Sequence, residues 1–233
     1  MTQRTISIES PYFLRVETLE GGLDLPAVFG NNNPLALEIG CGTGHFILER
    51  ATQQPETNFL AIDIYNKGCW KTCKKLDAKP LSNVRVMRIE ARYLLSEGLA
   101  PDMLAAIYIN CPDPWPKKRH RQRRLVNRSF LQTLWHYLQP DGDFYFSTDF
   151  YDYAVEVAEI MARLSGYKNQ LANAFAHELP GYPLSKYMQR FQQIGKPLYF
   201  IHQRRDPELP RRTLPFPKFQ RGFRVRWPKS EHG

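Results

Sequence analysis

The sequence predicts an α/β fold: a mostly parallel seven-stranded sheet with an antiparallel C-terminal pair and helices on both faces. Three observations predict it. Short apolar runs alternate with stretches of helical periodicity from about residue 35 to 165, the pattern of strand-helix units feeding a parallel sheet. The runs are continuously apolar, as strands covered on both faces must be. After Gly166 the helical spacing stops and two more extended runs follow, which can close the sheet as an antiparallel pair.

LALEI at 35–39 is the first strand and NFLAID at 58–63 the second; VRVMRI (84–89), LAAIYIN (104–110) and DFYFSTD (143–149) continue the series. Between them, residues 45–53, 67–76, 129–138 and 153–164 repeat apolar side chains at three- and four-residue intervals, one face of a helix. YKNQLANAF (167–175) and PLYFIHQ (197–203) are the closing strands. The segment between them, HELPGYPLSKYMQRFQQIGK, is long for a connection and is expected to be a functional insertion. The expected organisation is an N-terminal segment (1–34) packing on the core, a domain over 35–204, and a basic, Pro- and aromatic-rich extension over 205–233.

A chain of 233 residues can bury a core as one domain with extensions. No apolar run approaches the ~18 residues of a membrane span, and the start MTQRTISIESPYFLRVETL has neither the basic nor the continuous apolar region of a secretory leader. A cytoplasmic protein is therefore expected. Cys41, Cys69, Cys73 and Cys111 offer no paired metal-binding spacing, so no metal is expected.

Lys and Arg number 32 against 23 Asp and Glu, a formal charge of +9, and the excess is concentrated. Residues 117–128 (KKRHRQRRLVNR) carry seven Lys/Arg and no acid, while residues 204–229 carry nine against Asp206 and Glu208. The remainder holds 16 bases and 21 acids. A weakly acidic body with two basic patches suits a polyanionic partner, because clustered cations release condensed counterions from phosphate. A solvated charged loop is the alternative for the first patch. In the second, Phe216, Phe219, Phe223 and Trp227 alternate with arginines, which serves packing on the core or stacking on bases.

The first strand runs into Glu38-Ile39-Gly40-Cys41-Gly42-Thr43-Gly44 and then a helix. Such a turn lets a ligand approach the backbone closely. A dinucleotide fingerprint needs a small residue where His45 stands, and the Gly-Lys-Ser/Thr of a phosphate loop is absent. E-x-G-x-G-x-G followed by an acid at the end of the next strand, Asp63, resembles motifs I and II of the Rossmann-like class I S-adenosylmethionine methyltransferases. In that setting the carboxylate can accept both ribose hydroxyls of the cofactor, and Glu90, after the third strand, is placed to reach the adenine amino group or the ribose edge.

The fourth strand ends in Asn110-Cys111-Pro112-Asp113-Pro114-Trp115-Pro116. Residues beyond a strand's C-terminal end face the ligand crevice of an open α/β sheet, which places Asp113 beside the cofactor. PDPWPKKRHRQRRL is similar to the signature of the bacterial tRNA (guanine-N7)-methyltransferases, the TrmB family. The resemblance extends from about Leu35 to Arg204 through EIGCGTG, AIDI, NVRVMRIEA, the STD of the fifth strand and SKYMQRF.

That resemblance implies S-adenosylmethionine as cofactor, S-adenosylhomocysteine as product, tRNA as partner, and methyl transfer to guanine N7, at the variable-loop guanosine 46. It puts Glu38, Gly40, Gly42, Gly44, Asp63, Glu90 and Asp113 on the cofactor side, and Lys117, Asp149 and residues 185–188 on the substrate side. Arg119, His120, Arg121, Arg123 and Arg124 fall in the RNA-contacting stretch. The chain departs from the family's T-x-x-E with Ser185-Lys186-Tyr187-Met188, which deletes a carboxylate expected on the guanine edge; Asp149 or Asp113 can compensate. The chain is expected to act as a monomer or homodimer.

Guanine N7 carries a lone pair, so methyl transfer there needs no strong base. A carboxylate that stabilises the growing positive charge is enough, the role expected of Asp113. N7 is inaccessible in the deep groove of an A-form helix, so the guanosine is expected to leave its stack, with Trp115 or Tyr187 against the displaced base and 117–128 on the flanking phosphates. Two other readings are amino-group methylation of nucleic acid, from the loose likeness of Asn110-Cys111-Pro112 to an Asn-Pro-Pro-aromatic loop, and a non-catalytic RNA-binding module.

Overall fold

The order of strands decides where a ligand can sit. The computed structural model describes residues 6–210, and among them the elements run β1 (Phe13–Leu14), α1 (Leu25–Phe29), β2 (Leu35–Ile39), α2 (His45–Gln53), β3 (Asn58–Asp63), α3 (Asn66–Ala78), β4 (Val84–Arg88), α4 (Ala91–Gly98), β5 (Leu104–Asn110), α5 (Arg128–Tyr137), β6 (Leu138–Thr148), α6 (Tyr151–Ala162), β7 (Tyr167–Asn169), α7 (Lys186–Gln193) and β8 (Tyr199–Arg205). The aromatic residues at 216–227 lie outside the described residues.

The strands pair in the order β1-β4-β3-β2-β5-β6-β8-β7. All pairs from β1 to β6 are parallel, and β8 runs antiparallel to both β6 and β7. The order reverses at β2, which pairs with β3 on one side and β5 on the other. Connections leave the ends of β2 and β5 in opposite directions and open a crevice there, the place where open α/β sheets bind ligands.

Alternation along the strands fills both faces. Leu35, Leu37 and Ile39 pack with Leu94, Leu134 and Val157 on one side, while Ala36, Ala61 and Val86 pack with Phe46, Cys73 and Leu76 on the other. Fully burying one such leucine contributes about 1.5–3 kcal/mol.

The sheet agrees with the predicted fold class and adds an eighth strand. β1 is two residues long, too short to leave a periodic signal. The fifth predicted strand begins early, at Leu138, because Leu138 pairs with Leu104 before a register shift. The run 167–175 pairs for only three residues. Asn169 explains the break: its amide donates to the carbonyls of Leu171 and Asn173 at 3.0 and 2.9 Å and accepts from the Leu171 N–H at 3.2 Å, competing with the ladder.

Candidate active site

Gly40, Gly42 and Gly44 all have positive φ, at 85°, 54° and 76°. The Gly40 and Cys41 N–H groups donate to the Ile62 carbonyl at 2.8 and 3.0 Å, fastening the turn to the end of β3. A Cβ at Gly44 would lie 2.6 Å from Thr72 Cγ2, and one at Gly68 would lie 2.6 Å from the Gly42 oxygen. At Gly40 and Gly42 a Cβ would meet nothing within 4 Å. The turn is packed tightly against α3 on one side and open on the other, which makes it a cradle.

Carboxylates surround the open side. Glu38, the penultimate residue of β2, is almost fully buried, at 1% exposure. Burial pushes its carboxyl up to about 8, with the Asn110 amide pulling partly the other way and the charge of Asp63 adding to the rise. Asn110, at the end of β5, accepts from Ser147 Oγ at 3.0 Å and from the Tyr182 hydroxyl at 2.8 Å. Glu38 Oε2 and Asn110 Nδ2 are both buried outside strict hydrogen-bond geometry, with the amide drawn to the carboxyl. A buried acceptor beside a buried donor suits a ligand end bearing both an ammonium and a carboxylate.

Asp63 accepts from the Gly42 N–H through Oδ2 and from the Tyr65 N–H through Oδ1, each at 2.8 Å. Its carboxyl is held above the ordinary range by burial, against the pull of those N–H groups, and the charge of Asp113 adds to the rise. Asp113 itself is exposed in the loop after β5. Glu90 has a structural task that the sequence pattern does not reveal: it caps α4, accepting from the Arg92 and Tyr93 N–H groups at 2.9 and 3.2 Å. Burial also raises its carboxyl, with the Arg92 charge opposing. Ile64, Tyr65 and Tyr93, which follow these two acids, are exposed at 44%, 42% and 43%. A run of large apolar side chains after strand-end acids is the signal that could have found them.

The loop after β5 is strained at both ends, with φ of 47° at Cys111 and 42° at Trp115. A 3-10 helix over Lys118–Arg123 follows, with Lys117 as its N-cap. Lys117, Arg119 and Arg123 are exposed. Arg123 lies over the Trp115 ring, 5.0 Å from its centroid, and His120 meets that ring edge-on at 5.7 Å. Arg121 pairs with Asp152 at 2.9 Å. Arg124 departs from the expected RNA-contacting role: its side chain is completely buried against Glu156, leaving no surface for phosphate.

Asp149 follows β6 and pairs with Lys196 at 3.5 Å. Ser185 and Met188 are turned into each other. The Met188 N–H donates to Ser185 Oγ at 3.3 Å, and the Ser185 N–H points at Met188 Sδ at 3.2 Å. This is a capping box with sulfur in place of the usual carboxylate. Met188 is fully buried in the cluster that holds Tyr182, Leu198 and Phe200. The expectation that position 188 faces the guanine edge is corrected accordingly: the side chain closes the start of α7 and fills the core.

Among the described residues no His, Cys, Asp and Glu group could hold a metal, and no helix is long and apolar enough to cross a membrane. The glycine cradle, the strand-end acids and the sheet order define a class I methyltransferase. Solved structures share the fold: the antibiotic-resistance methyltransferase Kmr superposes with a TM-score of 0.56 at 12% identity over 78% of this chain and 92% of that one. The 16S rRNA methyltransferase KamB superposes with a TM-score of 0.56 at 16% identity over 82% of this chain and 92% of its own.

Sequence relatives narrow the class. The family model "Putative methyltransferase" matches residues 32–201. The chain is 58% identical over 227 residues to a tRNA (guanine-N(7)-)-methyltransferase of Syntrophotalea carbinolica, covering 97% of this chain and 98% of the relative. It is 55% identical over 207 residues to one of Geobacter metallireducens, covering 88% and 98%. The chain belongs to the tRNA (guanine-N(7)-)-methyltransferase family.

Proposed function

We propose that this chain transfers a methyl group from S-adenosylmethionine to N7 of a guanine in tRNA, at the variable-loop guanosine 46. One observation carries the reading: the crevice between β2 and β5 gathers an open glycine turn and the carboxylates of Glu38, Asp63 and Asp113 beside an exposed run of cations. Acids gathered beside one another favour a positively charged ligand over a further anion.

When bound, S-adenosylmethionine supplies an electrophilic methyl on a sulfonium and departs as neutral S-adenosylhomocysteine. Glu38 and Asn110 would hold the ammonium and carboxylate ends of the ligand. Gly40, Gly42 and Gly44 leave room for them. Asp63 keeps lone pairs free for the ribose hydroxyls while its backbone hydrogen bonds fix its orientation. Glu90, besides capping α4, would receive the adenine end of the cofactor, together with the exposed Ile64, Tyr65 and Tyr93.

On the substrate side Asp113 accepts from guanine N1 and N2 and stabilises the positive charge that grows on the base as the N7 lone pair forms the new N–C bond. No proton leaves N7, so no strong base is required. Lys117, Arg119, His120, Arg121 and Arg123 meet the flanking phosphates, and Asp149 and Ser185 border the base. Trp115, or Tyr187 at 62% exposure, stacks on the extruded purine.

The test is methyl transfer from labelled cofactor to unmodified tRNA, with digestion to nucleosides and mapping of the modified position. N7-methylguanosine at position 46, sensitive to borohydride and aniline, is expected. Label on an exocyclic amino group would favour the amino-transferring reading. Tight tRNA binding with no transfer would favour the non-catalytic module.

A further inference from the structure

Arg124 sits in the basic run by sequence and in the protein interior by structure. Its Nε donates to the Pro114 carbonyl at 2.8 Å, one residue from Asp113. Its Nη1 pairs with Glu156 on α6, and its guanidinium lies 4.5 Å from the centroid of Tyr153 and 5.7 Å from that of Phe150. The Tyr153 hydroxyl accepts from the Val126 N–H at 2.9 Å, so α6 grips the chain just beyond Arg124 as well. The Arg124 N–H donates to the Arg121 carbonyl at 2.9 Å, closing the 3-10 helix that carries the exposed cations.

One guanidinium therefore joins three pieces: the strained loop bearing Asp113, the RNA-facing run, and the corner between β6 and α6 that bears Asp149 and Phe150. Positive φ at Cys111 and Trp115 is kept only where the surroundings over-determine it. The bond to Pro114 supplies that constraint between them. A lysine has one charged point where the fork of arginine makes several directed bonds, so it cannot replace the joint.

We propose that Arg124 is a positioning residue, holding the Asp113 loop to the run whose outward cations meet RNA phosphate, so that seating of RNA and placement of the carboxylate are one event. This rests on the methyl-transfer reading above. It divides the run by direction: Lys117, Arg119 and Arg123 face out to phosphate, and Arg124 faces in to the loop.

The experiment compares Arg124→Lys, Glu156→Gln and Arg123→Ala with the wild-type chain by kcat, KM for tRNA and the salt slope of RNA binding. Arg124→Lys is expected to lower kcat by about ten- to a hundredfold, the scale on which a displaced reacting group acts, with KM and salt slope within about twofold of wild type. Arg123→Ala is expected to do the reverse, raising KM and flattening the slope by about 0.7–0.9. Glu156→Gln, which keeps a neutral acceptor, is expected to lower kcat in the same direction as Arg124→Lys, and decides the matter if that variant fails to fold. A flattened slope with kcat retained in Arg124→Lys would overturn the inference, as would unchanged kcat in either interior variant. Absence of N7-methylguanosine from wild type would instead fail the functional reading, and the salt slope of Arg124→Lys would still decide which way Arg124 faces.

Discussion

The Gly42 N–H donates to the Asp63 carboxylate at 2.8 Å, so the turn after β2 and the acid after β3 form one unit. The other carboxylate oxygen is drawn to the Tyr65 N–H, which fixes the carboxylate plane before any ligand arrives. Asp63→Ala removes both bonds and, on the proposed reading, the anchor for the ribose. Affinity for S-adenosylmethionine, measured by calorimetry, is expected to fall by about tenfold or more, since a charged hydrogen bond is worth about 1.5–3 kcal/mol. Wild-type affinity in this variant would remove Asp63 from the cofactor site.

Glu38 leads to a pH dependence. Its carboxyl is raised from an ordinary 4.5 to about 8, so near pH 7 it is mainly protonated in the cofactor-free chain. An ammonium settling against it favours the carboxylate, and binding then releases up to about one proton. Affinity is expected to rise from pH 6 to 8, and the heat of binding to vary with the ionisation enthalpy of the buffer. The cofactor-free fold behaves in the opposite sense. With the folded value above the unfolded one, the contribution of Glu38 to stability is complete below about 4.5 and declines as pH rises toward about 8. Glu38→Gln should flatten that decline in thermal unfolding while weakening cofactor binding. Buffer-independent heats would show that no cation reaches Glu38.

Asp113 is exposed, yet its charge is felt at Asp63 across the crevice. Asp113→Ala is expected to lower kcat by about a hundredfold or more, the range of a lost electrostatic stabiliser, while the Kd for tRNA moves by less than about threefold, since phosphate contacts dominate affinity. Single-turnover transfer beside a filter-binding isotherm separates the two, and equal turnover would exclude Asp113 from the chemistry.

The parallel strands were legible because burial on both faces writes a continuous apolar run, as in LALEI and NFLAID. The glycine turn and Asp63 were legible because a crevice at strand ends demands them in order. What stayed hidden depends on contacts between distant residues. That Glu90 also starts α4 is not visible in its own segment, because glutamate is an uncommon helix cap. Arg124 is set apart from Arg123 by Pro114, Glu156 and Tyr153, contacts that the basic run by itself does not reveal. Asn110 passes for a strand residue until Ser147 and Tyr182 converge on it.

The outward cations offer a measurement independent of catalysis. Arg121 is paired with Asp152 and Arg123 lies over Trp115, and both remain at the surface of the run. Reversing both to glutamate should weaken tRNA binding and reduce the steepness of log K against log salt by about 0.7–0.9 for each phosphate that is no longer neutralised. An unchanged slope would place the RNA elsewhere on the molecule.

Met188 separates a helix cap from a base contact. Its sulfur faces the Ser185 N–H at 3.2 Å and its side chain is fully buried. Met188→Ala would leave a cavity beside Tyr182 and Phe200 and a backbone donor without its partner. The cavity costs about 2–5 kcal/mol, which for a domain of this size lowers Tm by roughly 5–20 °C. An interaction with guanine would register instead in the kinetics. Below the transition, where the variant is folded, KM for tRNA is expected to stay within about twofold of wild type, because the deleted atoms lie in the core and uniform substrate binding is untouched. A large rise in KM with Tm unchanged would mean that position 188 does meet the base, and that the carboxylate replaced here belonged to recognition.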